Sequence, residues 1–510
     1  MKRHENRAWR RLAWPAIALA LCAAWARGAE IAPAKISQAQ LNGFKVMNYY
    51  PAKQVGPNMW LHWDPNPIKA DFDKMAAMHV NVVRLLLPPS AFGYPDPSPK
   101  MMNELREAVD MAAQKGMRVH FTLFFMWTHS YADIAGSKTW AKAVLAPFAH
   151  DSRVAFIELH NEIKPEKAAE MSWARTMLPY LRTAVEGSIP VTVSVTGDIS
   201  TSLSKLISEL GLSQPDFYDV HLYNYADYEP YHQLKAAKDA ATAQGRALLI
   251  GETSRATLAS KFAGFPSFAR AQASYEAWQD YHFRLAFLAS SALGLPPVAP
   301  WIFSDFAPDS LAGITNKEEP SHKGIYRADG SPKAAVATVS AFFGSGQLDT
   351  SFNNGFERYD LSEGRNQPEL WAGDTPSEAT YEDDTTVSHS GCCSAKISNS
   401  GASKGNPGFY ITPLANIVPE SSYTASVWVK GQNATGTTQI CINWLPHGRA
   451  LQRGGVAGTL ACGGSLSGTT SSWKRISVTS VAPEGTAAGR IFLQSGHNTG
   501  AAWFDDVTFK

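Results

Sequence analysis

The chain has 510 residues, more than one domain of ordinary size holds, so two are expected. Its 46 basic and 45 acidic side chains leave a net charge of +1, and no basic run occurs beyond the first dozen residues; this excludes nucleic acid as a partner. The 15 tryptophans suit either an aromatic-rich core or stacking on ring-shaped ligands.

Residues 1–29 read as a secretory signal. Lys2, Arg3, Arg7, Arg10 and Arg11 form a charged head, an apolar stretch runs from Leu12 to Ala24, and Ala24-Trp25-Ala26 supplies small residues for cleavage. The stretch is too short to span a bilayer, and no later segment is long and apolar enough. Leu21 before Cys22 disfavours a lipoprotein signal. The expected location is secreted or periplasmic, with no membrane contact after cleavage. An oxidising compartment permits disulfides among Cys392, Cys393, Cys441 and Cys462, and three pairings stay open.

From residue 43 to 306, short apolar runs alternate with helical patterns such as 68–79 and 102–115. The strand candidates are 43–50, 80–87, 118–125, 154–162, 190–197, 216–224, 247–253 and 297–304. Near-continuous apolar strands alternating with helices imply a parallel sheet covered on both faces. Eight such units predict an α/β fold, a (β/α)8 TIM barrel, over residues 30–343. A doubly wound open sheet is the alternative, but no Gly-rich phosphate loop follows any strand. Beyond 343–350 the helical patterns vanish. Short alternating runs separated by Ser, Thr and Gly predict an all-β sandwich, or jelly roll, over 344–510.

A barrel places its chemistry at the carboxyl ends of its strands. Arg84 lies in the second strand. Trp127 and His129 follow the third, Asn161 and Glu162 end the fourth, and His221 and Tyr223 end the sixth. Glu252 ends the seventh, and Trp301 lies near the end of the eighth. A carboxylate ending a buried strand is costly unless chemistry needs it. Two of them at one rim are the requirement of glycoside hydrolysis. Glu158 and His160 share the parity of Glu162 but lie deeper. Tyr49, Tyr50, Trp60 and Trp63 suit either rim subsites or core packing. Tyr223, Tyr225, Tyr228 and Tyr231 crowd another rim loop and lean toward sugar contact.

This ordered set resembles the clan A glycoside hydrolases, and most closely family 5, the cellulase and mannanase family. The matching residues are Asn81 and Arg84 in HVNVVRLLL, Asn161-Glu162, His221-Leu222-Tyr223, Gly251-Glu252 and Trp301. The chain departs in having Ile163-Lys164-Pro165 after Asn-Glu, where many relatives have proline at once. The resemblance implies retaining chemistry, with Glu252 as nucleophile and Glu162 as acid and then base. Glu162 is expected to keep its proton and Glu252 to stay ionised beside Arg84. Arg84, His129, Asn161, His221, Tyr223 and Trp301 are the implied substrate-binding residues, with His129 preferred to His120 as the family histidine. The implied partner is a polysaccharide or oligosaccharide, bound by a monomer with no cofactor for catalysis.

The carboxyl-terminal part, with Asn354-Gly355-Phe356-Glu357 near its start and Trp503-Phe504-Asp505-Asp506-Val507 near its end, resembles β-sandwich carbohydrate-binding modules. That resemblance implies a structural calcium, with Glu357 and Asp506 as its expected ligands. Trp444 is the favoured sugar contact of the module and Trp428 the favoured core residue. The leading expectation is a secreted endo-β-glycanase acting on β-glucan first and mannan second. An exo-acting β-glycosidase or transglycosylase is the alternative, and a non-catalytic polysaccharide-binding protein is disfavoured by the complete residue set.

Overall fold

The computed structural model describes residues 36–127, 129–223, 230–257, 268–311, 321–347, 354–357, 359–360, 367–368, 371–373, 379–399, 407–411, 417–446 and 459–510. The expected signal at 1–29, the rim residues Tyr225 and Tyr228, and part of the interdomain stretch at 343–350 lie outside the described residues.

Strands β1 (Val46–Asn48), β2 (Val82–Leu86), β3 (Arg118–Thr122), β4 (Val154–Glu158) and β5 (Val191–Thr192) form one parallel sheet. Strands β6 (Ser194–Val195), β7 (Tyr218–Leu222) and β8 (Leu248–Thr253) form another. A single residue, Val193, separates β5 from β6, so together they make the expected fifth stave. The eighth is a chain of bridges and not a regular strand. Thr253 pairs with Pro300, Trp301 N–H donates to Thr253 O at 2.8 Å, and Phe303 N–H donates to Asn48 O at 3.0 Å. Pro297 and Pro300 lack the N–H groups that a regular ladder needs, yet the segment still joins β8 to β1 and closes the barrel.

The helices outside the barrel begin where their sequences say they should. Helix α1 (Pro65–Ala77) is capped by Asp64, which accepts from Asn66 N–H, with proline at the first position. Helix α2 (Pro99–Gln114) is capped by Ser98 and ends before Gly116, whose φ is +73°. Their apolar faces join Phe72, Leu105, Val109, Trp140, Trp173 and Phe287 in one large core around the barrel. Inside it, Val46, Val82, Phe156, Phe217 and Leu249 form a separate apolar cluster from early strand positions. Polar residues are thereby confined to the later positions, at the carboxyl-terminal mouth. Among the described residues no helix is long and apolar enough to cross a membrane.

Two antiparallel five-stranded sheets make up the carboxyl-terminal domain. Their strands run from Trp371–Gly373 through Ala379–Asp384, Ser394–Asn399, Gly408–Ile411, Ser422–Gln432, Ala434–Pro446, Thr459–Gly468, Lys474–Val481 and Thr486–Gly496 to Ala501–Phe509. Their inner faces bury Phe356, Val427, Ile440, Leu493 and Phe504. Two of the three possible pairings are thereby excluded: Cys392 bonds its neighbour Cys393, and Cys441 bonds Cys462 on the adjacent strand.

Candidate active site

The polar mouth is organised by Arg84, which is fully buried on β2. Its Nε donates to Thr122 Oγ1 at 2.7 Å and to Glu158 Oε2 at 3.1 Å. Its Nη2 donates to Glu158 Oε2 and to Asn161 Oδ1, each at 2.7 Å. Its Nη1 donates to Asn48 Oδ1 at 2.8 Å and to Glu252 Oε1. Burial disfavours the guanidinium charge, but Glu158 and Glu252 outweigh it and raise the group above its usual range. Glu158 is drawn well below the carboxylate range by the same contact, against the push of burial. Glu158 thus belongs to the support of the site, as its deeper position suggested.

Glu162 stands four residues beyond the end of β4, in a left-handed turn with φ +51°. A side chain at that angle is uncommon and needs support. Ser194 supplies it: its hydroxyl accepts the Glu162 N–H at 2.8 Å, and its carbonyl accepts the Ile163 N–H at 3.0 Å. Glu252 lies within β8 and is buried. Tyr223 donates to Glu252 Oε2 at 2.7 Å. His221 Nδ1 sits between the two carboxylates, 3.0 Å from Glu162 Oε1 and 3.3 Å from Glu252 Oε2. One oxygen each of Glu162 and Glu252 and a ring nitrogen of His221 all lie within 4.8 Å of one another.

The protonation of this trio differs from the sequence expectation. Burial acts to raise Glu162, but the hydrogen bond and charge of His221, with help from Lys164, hold it below the usual range. Burial pushes Glu252 up, against the pull of His221 and Arg84. Burial opposes the charge on His221, yet Glu252 and Glu162 overcome it and lift the imidazole to about 9. The reason is that one cation is shared by two acids. These shifts favour an imidazolium at His221, whose Nδ1 stands 3.0 Å from Glu162 Oε1.

Asn161, His221, Tyr223, Arg84, Glu162 and Glu252 are therefore brought together as the sequence suggested. Trp301 is half-buried and meets Tyr50 edge-on at 6.2 Å. His129 is not brought in. The chain turns after β3 through Phe124 and Met126, both at positive φ, and leaves His129 exposed and stacked on Tyr94 at 4.4 Å. The histidine beneath the site is His120, buried, with Nε2 3.3 Å from Glu158 Oε2; burial lowers it to about 4 and so keeps it neutral. Tyr49, Tyr50 and Trp60 are core residues, and Trp63 stacks on Trp60 at their edge. Asn48, Thr122, Ser194 and Asp219 carried no signal of their own. Asp219 accepts the Gly251 N–H at 2.8 Å, and a Cβ on Gly251 would stand 2.4 Å from its Oδ1, so glycine is required beside Glu252. A cleft of about 330 Å³ opens beside Glu162, with Trp127, Tyr131, His160, Asn161 and Lys164 in its walls.

In the sandwich, an atom at the Gly355 Cβ position would stand 3.4 Å from Asp506 Oδ1 and 3.5 Å from Glu357 Oε1, so these two carboxylates face a common gap. Glu357 also accepts the Cys392 N–H at 2.7 Å, and Asp506 accepts from Ser390 at 2.8 Å. Asp383 is 5% exposed, and among the described residues neither of its oxygens has a partner. Burial, with Glu357 next, raises it to about 7. Unanswered oxygen donors of this kind fit a hard cation such as calcium. Trp444 does not face a ligand: it is 2% exposed, packs in the sandwich core and donates to Ser480 Oγ at 3.0 Å. Trp428 takes the outer face instead, stacked on His389 at 4.1 Å.

The state of His221 sets a pH dependence of stability. Its folded pKa is raised, so the stabilisation is complete below the unfolded value of about 6.5 and is lost as pH rises through about 9. In denaturant titrations of the barrel, wild type should exceed His221→Asn by on the order of 3 kcal/mol at pH 6, and the gap should close above pH 9. A gap that is constant with pH contradicts the shared-proton description.

Residues 40–291 match the family described as Cellulase (glycosyl hydrolase family 5). Similar solved structures include the exo-β-1,4-mannosidase Op5Man5 from Opitutaceae bacterium strain TAV5, at 20% identity and TM-score 0.47, over 58% of this chain and 58% of that one. GH5_18 from Streptomyces cattleya in complex with GlcNAc aligns at 15% identity and TM-score 0.46, over 61% and 83%. A β-glucuronidase from Ruminococcus gnavus in complex with D-glucuronic acid aligns at 16% and 0.43, over 59% and 49%. This chain therefore spans 58% of the mannosidase's length and 49% of the glucuronidase's. No curated protein matches it. The match to glycosyl hydrolase family 5 thus covers the barrel from residue 40 to residue 291.

Proposed function

We propose that the chain hydrolyses O-glycosidic bonds of a β-linked polysaccharide with retention of configuration, β-glucan ahead of mannan. The observation that carries this is the pair of carboxylates with oxygens within 4.8 Å of each other across His221. Retaining enzymes hold their carboxyl groups about 5–5.5 Å apart, whereas inverting ones leave about 6.5–9.5 Å for a water between them.

The mechanism follows from the contacts. Glu252, held by Arg84 and Tyr223, attacks the anomeric carbon and forms a glycosyl ester as the glycosidic bond breaks. The departing oxygen takes its proton from Glu162, which is resupplied by His221 Nδ1 across the 3.0 Å contact. A water then gives its proton to Glu162 and its oxygen to the anomeric carbon, releasing Glu252. The Asn161 carbonyl is tied to Arg84, which turns its amide N–H groups toward the sugar 2-hydroxyl. Trp301 offers its face as the floor of the cleavage subsite. The acid step needs a protonated Glu162, so substrate that displaces water from the mouth, and deepens its burial, favours transfer of the His221 proton.

Carboxymethyl cellulose, barley glucan, mannan, xylan and chitosan, incubated with the protein and its Glu162→Gln and Glu252→Gln variants, test this reading by product size. A ladder of oligosaccharides from a β-glucan, absent in both variants, is the expected result. Release of single sugars alone favours the exo-acting alternative, and a ladder that survives Glu252→Gln contradicts the assignment.

We further propose that Glu357 and Asp506 hold a structural calcium in the sandwich, with the protein exported by its amino-terminal signal. The unpartnered oxygens of Asp383 support the first part, and the charged and apolar segments at 1–29 support the second. The ion would add positive charge beside these carboxylates, of which Asp506 also meets His389 Nδ1 at 2.5 Å. A chelator should lower the sandwich's melting transition in the whole chain and spare the barrel's; an unchanged sandwich transition removes the calcium.

A further inference from the structure

We propose that the cleft beside Glu162 is the leaving-group subsite and that it takes a sugar bearing a carboxylate, a uronic acid, through Lys164. The inference rests on the retaining reading above and names the substrate class at one side of the same site.

Its place in the reaction follows from its walls. The cleft is lined by Glu162 but not by Glu252, His221, Arg84 or Tyr223. The nucleophile stands at the anomeric carbon and the acid at the departing oxygen. Space beyond the acid and away from the nucleophile therefore receives the departing sugar. Its volume, about 330 Å³, lies at the small end of ligand sites, which run to about 1,000 Å³.

The charges inside the cleft are largely answered by each other, with one exception. Lys167 Nζ lies 3.2 Å from Glu170 Oε1, and Glu170 Oε2 accepts the Lys164 backbone N–H at 2.9 Å. His160 is held below its usual range, by burial first, and its ring nitrogens meet Tyr131 Oη at 3.2 Å and the Asn161 carbonyl at 2.8 Å. The half-buried Lys164 ammonium has no carboxylate within ion-pair distance among the described residues. Among the described residues the buried indole N–H of Trp127 has no partner. Glu162 and Glu170 share the walls, but neither is paired with the Lys164 ammonium, so Lys164 and the Trp127 N–H are left to meet an acceptor on a ligand.

Lys164 also acts on the acid. Its charge favours the ionised form of Glu162, which works against protonation of a leaving group. A carboxylate on the departing sugar would answer that charge where it arises. A neutral sugar would leave the ammonium to oppose the acid. The cleft therefore selects by charge at the step where the proton moves.

Transfer from a preformed glycosyl-enzyme isolates this subsite. The donors are 2,4-dinitrophenyl β-D-glucoside and β-D-mannoside, whose leaving group needs no acid. The acceptors, at equal concentration, are D-glucuronate, its methyl ester and D-glucose. The acceptor hydroxyl gives its proton to Glu162, its oxygen bonds the anomeric carbon, and the ester to Glu252 breaks. Glucuronate should be glycosylated about tenfold faster than glucose or the ester, the increment expected of one charge-assisted hydrogen bond. That preference should shrink with added salt, fall toward one in Lys164→Gln and persist in Lys164→Arg. Equal transfer to all three acceptors overturns the inference while leaving the retaining reading intact. A preference that survives Lys164→Gln overturns the role of Lys164. Failure to turn over either donor overturns the retaining reading and this inference with it.

Discussion

Arg84 stands with its charge between two buried carboxylates, and most of what surrounds the mouth of the barrel exists to hold that arrangement. Its N–H groups are divided among Glu158, Glu252, and the oxygens of Asn48, Thr122 and Asn161. A buried pair of charges survives only with good geometry and with its remaining hydrogen bonds made. The parallel register supplies this by setting Asn48, Arg84 and His120 side by side, and Leu86, Thr122 and Glu158 one layer higher. The apolar cluster of Val46, Val82, Phe156 and Leu249 is separate from this network. Water has no place in that cluster to dissolve the ion pairs.

The second constraint is that His221 serves two acids at once. Arg84 answers Glu158 and one oxygen of Glu252, so the other oxygen of Glu252 and the whole of Glu162 depend on His221 and Tyr223. This explains why Glu162 lies low and Glu252 high in the free protein, the reverse of the working order. In the proposed mechanism, one proton crosses one hydrogen bond as the sugar enters. Asp219, lifted to about 7 by burial against the pull of His221, is fixed on the Gly251 N–H two residues before that histidine on the same strand.

The sequence is most legible where burial and charge conflict. Glu162, Glu252 and Arg84 stand out because ionised groups in apolar runs need a reason, and the structure joins all three through hydrogen bonds. The staves are legible for the same reason: a buried parallel strand is apolar throughout. The eighth is only partly so, because its prolines interrupt the ladder that its apolar residues suggest. Small polar residues such as Asn48, Thr122 and Ser194 cannot be singled out, since their value depends on neighbours 30 or more positions away. His129 lies past the end of β3, which favours it from sequence, but the turn at Phe124 and Met126 carries it outward. Trp428 leaves its expected place in the core because the strand alternates regularly there: Ala425, Val427 and Val429 point inward, which turns Trp428 to the outer face.

The stereochemistry of hydrolysis decides whether Glu252 is the nucleophile. Proton spectra recorded during the first minutes of hydrolysis of a β-glycan report the anomer released before mutarotation. The arrangement of Glu162, His221 and Glu252 predicts that the β-anomer forms first. First release of the α-anomer would mean that water attacks the sugar directly, and it would contradict the role of Glu252 as nucleophile.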